Sequence, residues 1–284
     1  MKLVYLFDTS GINHLHDDPA RDAVVTSLTA TNEVWVSALN VAEASCTPDS
    51  TRRESLLRLL KTLTQNRRPL ETPPFLIRRA LEAYSRGYTS LSVSIGTENE
   101  GVWQVLNAPT QFDEDYRQEV SNILRELEQE FITIHRYGRP HLQEALTNDQ
   151  ETPRSAADFI RSYAANVDLL HDAVSQFYED VVGEPLPKAR TMDLLRTLPQ
   201  LTGFLLSWGH SIYRRGIVQS GYGKNNAGNV DIWFAVYLAH IHRFITNDRK
   251  QYQALRLVRR MYAPDCEVLL YDSFRKRLVM DSGA

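Results

Sequence analysis

Short apolar runs, each followed by polar or turn-forming residues, occur near both ends of the chain. They lie at residues 3–7, 33–37, 243–246 and 267–271, and a brief further strand is expected within residues 69–74. Runs of this length suit strands that are buried on both faces, as in parallel sheets. Helical patterns lie between them, at residues 12–30, around 41–43, and at 52–65, 75–85 and 250–261. This alternation predicts an α/β fold with an open parallel sheet and crossover helices.

The middle of the chain has a different pattern, in which large apolar side chains recur only at helical spacing. These stripes cover residues 115–134, 155–182 and 190–215, with Pro199 as an expected kink. Stripes of this kind normally pack helix on helix. The pattern therefore predicts an all-helical insertion at residues 88–221, which interrupts a core formed by residues 1–87 and 222–284.

Composition limits the classes of protein that fit. With 284 residues, of which 43% are hydrophobic, the chain can bury one large core or a core with a satellite domain. The formal net charge of −3 means that contact with a polyanion must come from a local basic patch. Two distant cysteines indicate neither a disulfide framework nor a thiolate metal site. No segment approaches the roughly 18 apolar residues of a membrane span. We therefore expect a soluble, cytoplasmic protein with no membrane partner.

Four acidic residues stand where parallel sheets bind ligands. Asp8 directly follows the first strand, and Asp248 follows the strand predicted at residues 243–246. Asp231 lies in the first turn of a helix, and Glu43 lies about two helical turns beyond the second strand. Strand ends and neighbouring helix starts meet at one edge of such a sheet. Two carboxylates about 4 Å apart repel by roughly 4 kcal/mol, so a cluster needs protons or a cation. Oxygen ligands favour Mg²⁺ or Mn²⁺, which can activate water and stabilise a leaving oxygen on a phosphodiester.

Each acid also has a purely structural interpretation. Asp8 and Asp248 are suited to turns or helix caps, and Asp231 to the positive end of a helix dipole. Glu43 could be a solvated helix residue. These alternatives stay open at the level of sequence.

Four segments, in the same order along the chain, resemble the PIN-domain family. They are Asp8-Thr9-Ser10 after a strand, residues 36–43 ending in Glu43, residues 231–235 opening with Asp231, and residues 244–248 ending in Thr246-Asn247-Asp248. The resemblance implies a metal-dependent endoribonuclease in which Asp8, Glu43, Asp231 and Asp248 are catalytic and bind Mg²⁺ or Mn²⁺. Supporting positions around them would be held by Thr9, Ser10, Thr246 and Asn247. It covers residues 1–87 and 222–275, and small members of the family lack a counterpart of residues 88–221.

The expected partner is an RNA substrate. Arg214, Arg215 and Lys224, near the exit from the insertion, are candidates for contacts with its phosphates. The apolar stripes leave a homo-oligomer open, and the family adds an inhibitor protein as a class of partner. Two alternative functions remain: a catalytically inactive PIN-like binding or scaffold protein, and a DNA nuclease or phosphatase that uses the same site.

Overall fold

A computed structural model of the protein describes residues 2–88, 100–111, 155–214 and 229–282, together with residues 117, 118, 120–122, 124 and 125. Its strands are β1 (Val4–Phe7), β2 (Glu33–Trp35), β3 (Arg243–Thr246) and β4 (Glu267–Leu270). The helices before the middle stretch are α1 (Thr9–Asp17), α2 (Arg21–Thr31), α3 (Ala38–Ser45), α4 (Ser50–Thr64) and α5 (Pro73–Ser85). Those that follow are α6 (Glu100–Asn107), α7 (Ala156–Ala165), α8 (Val167–Val182), α9 (Thr191–Thr197), α10 (Pro199–Ile212), α11 (Asn229–Trp233), α12 (Arg249–Tyr262) and α13 (Tyr271–Ser282). None of the helices described is long and apolar enough to cross a membrane.

The four strands form one parallel sheet in the order β2-β1-β3-β4, which confirms the predicted α/β class and the parallel sheet. Tyr5 of β1 is paired with Val34 on one side and with Arg243 on the other. The chain moves outward from β1 to β2 on one side, and from β3 to β4 on the other. The change of direction therefore lies between β1 and β3, a position called the switch point of the sheet.

The brief extra strand expected within residues 69–74 is a single parallel bridge between Leu70 and Ser37. The Leu70 amide donates to the carbonyl oxygen of Val36 at 2.7 Å, and the Leu70 carbonyl accepts from the amide of Ala38 at 2.8 Å. This bridge extends the β2 edge of the sheet by one residue.

Prolines and asparagine divide three regions whose sequence pattern predicts helix. Pro19 lies in the gap between α1 and α2, where the Asp18 carboxylate accepts from the Ala20 amide at 2.8 Å. Asn166 separates α7 from α8, and its side chain caps α8 by accepting from the Leu169 amide at 3.1 Å. Pro199 is the first residue of α10, so the break expected there is confirmed. A proline ends a helix because it cannot donate the backbone hydrogen bond, yet it is tolerated in a first turn.

The C-terminal helix α13 was not predicted, because residues 267–271 were taken as the last element. The strand ends at Leu270, and Tyr271 begins the helix instead. Phe274 of α13 packs edge-on against the rings of Tyr5 and Phe7, with centroid distances of 5.9 and 5.3 Å. Few apolar residues mark this helix, and its charged sequence hides the stripe that anchors it to the sheet.

Two hydrophobic clusters cover the two faces of the sheet. One contains Leu6 and Phe244, and the other contains Tyr5, Phe7 and Ile245, as the alternation of side chains along a strand requires. Helices from the middle of the chain join the first cluster through residues that include Phe159, Leu201 and Leu205. Helices α1, α2, α4 and α13 contribute to the second cluster. Helices α7 to α10 of the predicted insertion thus cover one face of the sheet, whereas α6 joins the second cluster through Val105 and Leu106. The domain boundaries at residues 87/88 and 221/222 stay predictions.

The packing of α10 against α12 depends on a glycine. A Cβ atom added at Gly203 would overlap the ring of Tyr262, whose hydroxyl donates to the carbonyl oxygen of Ala235. Replacing glycine with alanine inside a helix normally stabilises it by about 1 kcal/mol. We expect Gly203→Ala to lower the free energy of unfolding by about 1–3 kcal/mol instead, because the ring must move. Chemical denaturation of the wild type and the variant measures this, and a stabilised variant would contradict the packing.

Candidate active site at the switch point of the sheet

Asp8 and Asp248 lie beside each other at the carboxyl ends of two adjacent strands. Asp8 follows β1, and its amide continues the ladder by donating to the carbonyl oxygen of Ile245 at 3.0 Å. Asp248 lies two residues beyond the end of β3 and caps α12. Open α/β sheets bind their ligands in the crevice at this switch point. The topology therefore brings the two aspartates to the position where a ligand is expected.

Asp8 is buried, with 2% of its surface exposed, and caps α1. One carboxylate oxygen accepts from the Gly11 amide at 2.6 Å, and the other accepts from the hydroxyls of Thr246 at 2.7 Å and Ser10 at 2.8 Å. Burial raises the pKa of Asp8 to about 6, although the three hydrogen bonds act in the opposite direction and the charge of Asp248 adds to the rise. A nearby cation would stabilise the ionised form of a carboxyl group that is buried in this way.

Gly11 allows the close approach of α1 to the sheet. A Cβ atom there would lie 2.8 Å from the carbonyl oxygen of Ile245 and 3.1 Å from an oxygen of Asp8. Gly11 was not among the predicted site residues. A glycine in the first turn of a helix, where it costs helix stability, is the signal that could have revealed it.

Asp248 is held by the same hydroxyl groups that hold Asp8. Its amide donates to Ser10 Oγ at 3.0 Å and to Thr246 Oγ1 at 2.9 Å. Its carboxylate accepts from the amides of Lys250 at 2.6 Å and Gln251 at 2.9 Å at the start of α12. Ser10 and Thr246 thus tie the ends of the two central strands together.

Glu43 is brought to the same site by α3. The helix begins with a capping box, in which the Ser37 side chain accepts from the Asn40 amide and the Asn40 side chain accepts from the Ser37 amide. Thr9, the residue after Asp8, donates a hydrogen bond to the Glu43 carboxylate. Burial raises the pKa of Glu43 to about 7; the Thr9 hydrogen bond opposes this rise, and the charge of Asp8 adds to it. Glu43 and Asp8 are therefore electrostatically coupled, as are Asp8 and Asp248.

Asp231 is connected to this group by Gln251. The Gln251 amide nitrogen donates to the Asp231 carbonyl oxygen at 3.3 Å, and its Oε1 lies 2.9 Å from Thr246 Oγ1. Asp231 also lines a neighbouring cavity. Gln251 is only 2% exposed, and it was not among the predicted site residues. A glutamine at the same helix face as Leu255 and Val258 was the available signal.

The predicted supporting residues differ in what they contact. Thr9 contacts Glu43, whereas Ser10 and Thr246 contact both aspartates. The Asn247 amide donates to Ser10 Oγ at 2.8 Å, while its side chain lies 3.2 Å from His14 Nδ1.

Of the three residues predicted to contact phosphates, the structure describes one. Arg214 lines the cavity beside Asp231. Arg215 and Lys224 lie outside the described residues.

The chemistry of the donors fits a hard divalent cation, because every side-chain ligand offered is a carboxylate or hydroxyl oxygen. The raised pKa values of Asp8 and Glu43 arise from burial of carboxyl groups, and a bound cation would favour their ionised forms. Within the described residues, no three His, Cys, Asp or Glu side chains are grouped closely enough to hold an ion. The donor type thus fits such an ion, although in that part of the chain no three of the four acids come close enough together to hold one.

Comparisons with protein-family models, with curated proteins and with solved structures find no match to this chain.

Proposed function

We propose that this protein is a divalent-metal-dependent nuclease of the PIN-domain kind that hydrolyses phosphodiester bonds, with RNA as its substrate. One observation carries the proposal: Asp8 and Asp248 follow the two central strands at the switch point of the sheet, and Asp8 is electrostatically coupled to Glu43 as well. Acids placed in this way suit a reaction on a phosphate ester.

Asp8, Glu43 and Asp248 would hold Mg²⁺ or Mn²⁺, and Asp231 would complete the set from the start of α11. When bound, such an ion neutralises phosphate charge and lowers the pKa of a bound water molecule. The chain itself supplies the orientation of the carboxylates. Ser10 and Thr246 fix Asp8, and Thr9 fixes Glu43. Loss of such a supporting hydrogen bond typically lowers metal affinity or activity by about 10- to 100-fold.

The start of α12 would further fix the Asp248 carboxylate at this edge. Its first amides, those of Lys250 and Gln251, both donate to that carboxylate. Helix N-termini carry a partial positive charge that attracts carboxylates. These features need no strongly basic protein, which agrees with the net charge of −3.

A scaffold protein without catalysis explains this arrangement less well. Burying the carboxyls of Asp8 and Glu43 raises the pKa of each, so the ionised pair costs stability that a scaffold has no reason to retain. A DNA nuclease or a phosphatase would use the same acids, and only the substrate would differ.

Cleavage assays on matched substrates test the proposal. Single-stranded RNA and DNA of the same sequence, together with a phosphate monoester, are incubated with Mn²⁺, with Mg²⁺ or with EDTA. We expect endonucleolytic RNA cleavage that requires the metal. Cleavage of DNA alone, or release of phosphate alone, would favour the respective alternative, and no reaction with either metal would favour the scaffold.

Metal binding should also stabilise the folded protein, because only the folded chain brings these acids together. A ligand at about 100 times its Kd stabilises by about 2.7 kcal/mol. We therefore expect millimolar Mn²⁺ to raise the Tm of the wild type by several degrees. The Tm of Asp8→Asn, which lacks the charge of Asp8, should rise little. Equal shifts in both proteins would show that Mn²⁺ binds elsewhere.

A further inference from the structure

A cavity of about 180 Å³ opens beside the carboxylate site. It lies between α10 and α12, and Asp231 and Ile232 of α11 form part of its wall. Cavities of about 150 Å³ can hold a benzene-sized ring. This volume therefore suits a single ring-containing group rather than a long stretch of polymer.

Two residues connect the cavity directly to the site. Lys250 and Gln251 line the cavity, and their backbone amides both donate to the Asp248 carboxylate. The side chain of Gln251 also lies within hydrogen-bond distance of Thr246, whose hydroxyl reaches Asp8. A group in the cavity is thus separated from Asp8 by the Gln251 and Thr246 side chains alone.

The lining combines four kinds of surface, one of which is the acidic residue Asp231. Ile232, Leu255 and Leu257 offer apolar contact, and Ser207, Ser211 and Gln253 offer uncharged hydrogen-bonding groups. The two cations of the lining are Arg214 and Lys250. Flat heterocycles bind such mixed surfaces, because their faces are apolar and their edges form hydrogen bonds.

His210 belongs to the uncharged part of this lining. Burial lowers its pKa to about 4, and the positive charge of Arg214 contributes to the shift. At neutral pH its imidazole therefore offers one donor and one acceptor, the pattern that suits the edge of a base.

We propose that this cavity binds the nucleobase of the nucleotide next to the scissile phosphate, with Arg214 and Lys250 beside its phosphate group. The identity of the ligand rests on the proposed nuclease function, whereas the cavity and its lining do not. Base recognition here gives the enzyme a preference for single-stranded over paired substrates, because a paired base cannot leave its stack without an energetic cost.

Cavity-filling variants test this site in a binding experiment that needs no catalysis. Ribonucleoside 5′-monophosphates and ribose 5-phosphate are titrated in EDTA and followed by NMR or calorimetry. We expect at least one nucleotide to bind tenfold or more tightly than ribose 5-phosphate. Ala254→Phe and Ser211→Phe fill the cavity from α12 and α10, and each should weaken nucleotide binding at least tenfold while leaving ribose 5-phosphate unchanged.

Ala165→Phe is the matched control, because Ala165 is exposed at the end of α7 and does not line the cavity. Retention of the Mn²⁺-induced rise in Tm by the filled variants would show that the carboxylate site is intact. Equal binding of nucleotide and ribose 5-phosphate would overturn the proposal in favour of a phosphate site alone, as would nucleotide binding by either folded filled variant that equals the wild type. Absence of RNA cleavage together with base binding would count against the nuclease, but not against this cavity.

Discussion

Asp8→Asn should reduce metal-dependent RNA cleavage about a thousandfold or more. Loss of a carboxylate that holds a divalent cation removes several kcal/mol of stabilisation of the transition state, and about 4 kcal/mol corresponds to a thousandfold in rate. The change is isosteric, and asparagine caps helices about as well as aspartate. Its side-chain oxygen can still accept from the Gly11 amide, so α1 should keep its start. The rate constant for cleavage of a short RNA in Mn²⁺, measured at saturating protein, gives the effect.

Asp22→Asn is a matched control for charge and chemistry. The Asp22 side chain is 89% exposed on α2 and pairs with Arg21. We expect wild-type cleavage from this variant. Asp248→Asn should lose activity to a degree similar to Asp8→Asn, while Glu43→Gln tests whether the third carboxylate participates. Full activity of both Asp8→Asn and Asp248→Asn in correctly folded protein would remove these residues from the proposed site.

Asp8→Asn should also stabilise the protein at high pH when no divalent cation is present. The pKa of Asp8 is raised from 3.8 to about 6, so its favourable contribution is complete below pH 3.8 and is lost as the pH rises through 6. A shift of about two pKa units corresponds to about 3 kcal/mol. Between pH 4 and pH 8, the free energy of unfolding of the wild type should therefore fall by up to about 3 kcal/mol more than that of Asp8→Asn. Urea denaturation in EDTA at several pH values measures the difference.

Glu43→Gln should flatten the same curve, because the pKa of Glu43 is raised from 4.5 to about 7 and its stabilising contribution is lost as the pH rises through 7. The effects of the two variants should not be additive, since the charge of Asp8 is one cause of the shift at Glu43. Saturating Mn²⁺ should restore stability to the wild type at pH 8. Parallel curves for the wild type and both variants would contradict the burial of these carboxyls.

Together the two expected results describe one compromise. The ionised carboxylates that the proposed reaction needs destabilise the folded chain in the absence of a cation. Activity and stability should therefore change in opposite directions on substitution at Asp8, which is a frequent property of active sites. If Asp8 were only a structural helix cap, Asp8→Asn would instead lower the stability of the protein or leave it unchanged, without any effect on cleavage.

Local signals in the sequence were sufficient for much of the sheet and for part of the site. Four short apolar runs predicted β1 to β4, and the turn-forming residues after them placed Asp8 and Asp248 at strand ends. Pro199 predicted the start of α10 because a proline limits the backbone whatever its surroundings. These features depend on the order of neighbouring residues, so they can be read without knowing the fold.

Only the tertiary structure decided which distant groups meet. Gln251 connects Thr246 to the Asp231 backbone, Gly11 lets α1 approach Ile245, and Asp231 lines the cavity between α10 and α12. Helices α7 to α10 pack on one face of the sheet, and α6 and the weakly patterned α13 pack on the other. Such contacts form between residues far apart in the chain, and their free energy comes from burial and hydrogen bonding in the folded state. Residue spacing alone therefore determined the strands and their terminal acids, whereas packing across the sheet determined how those acids are held.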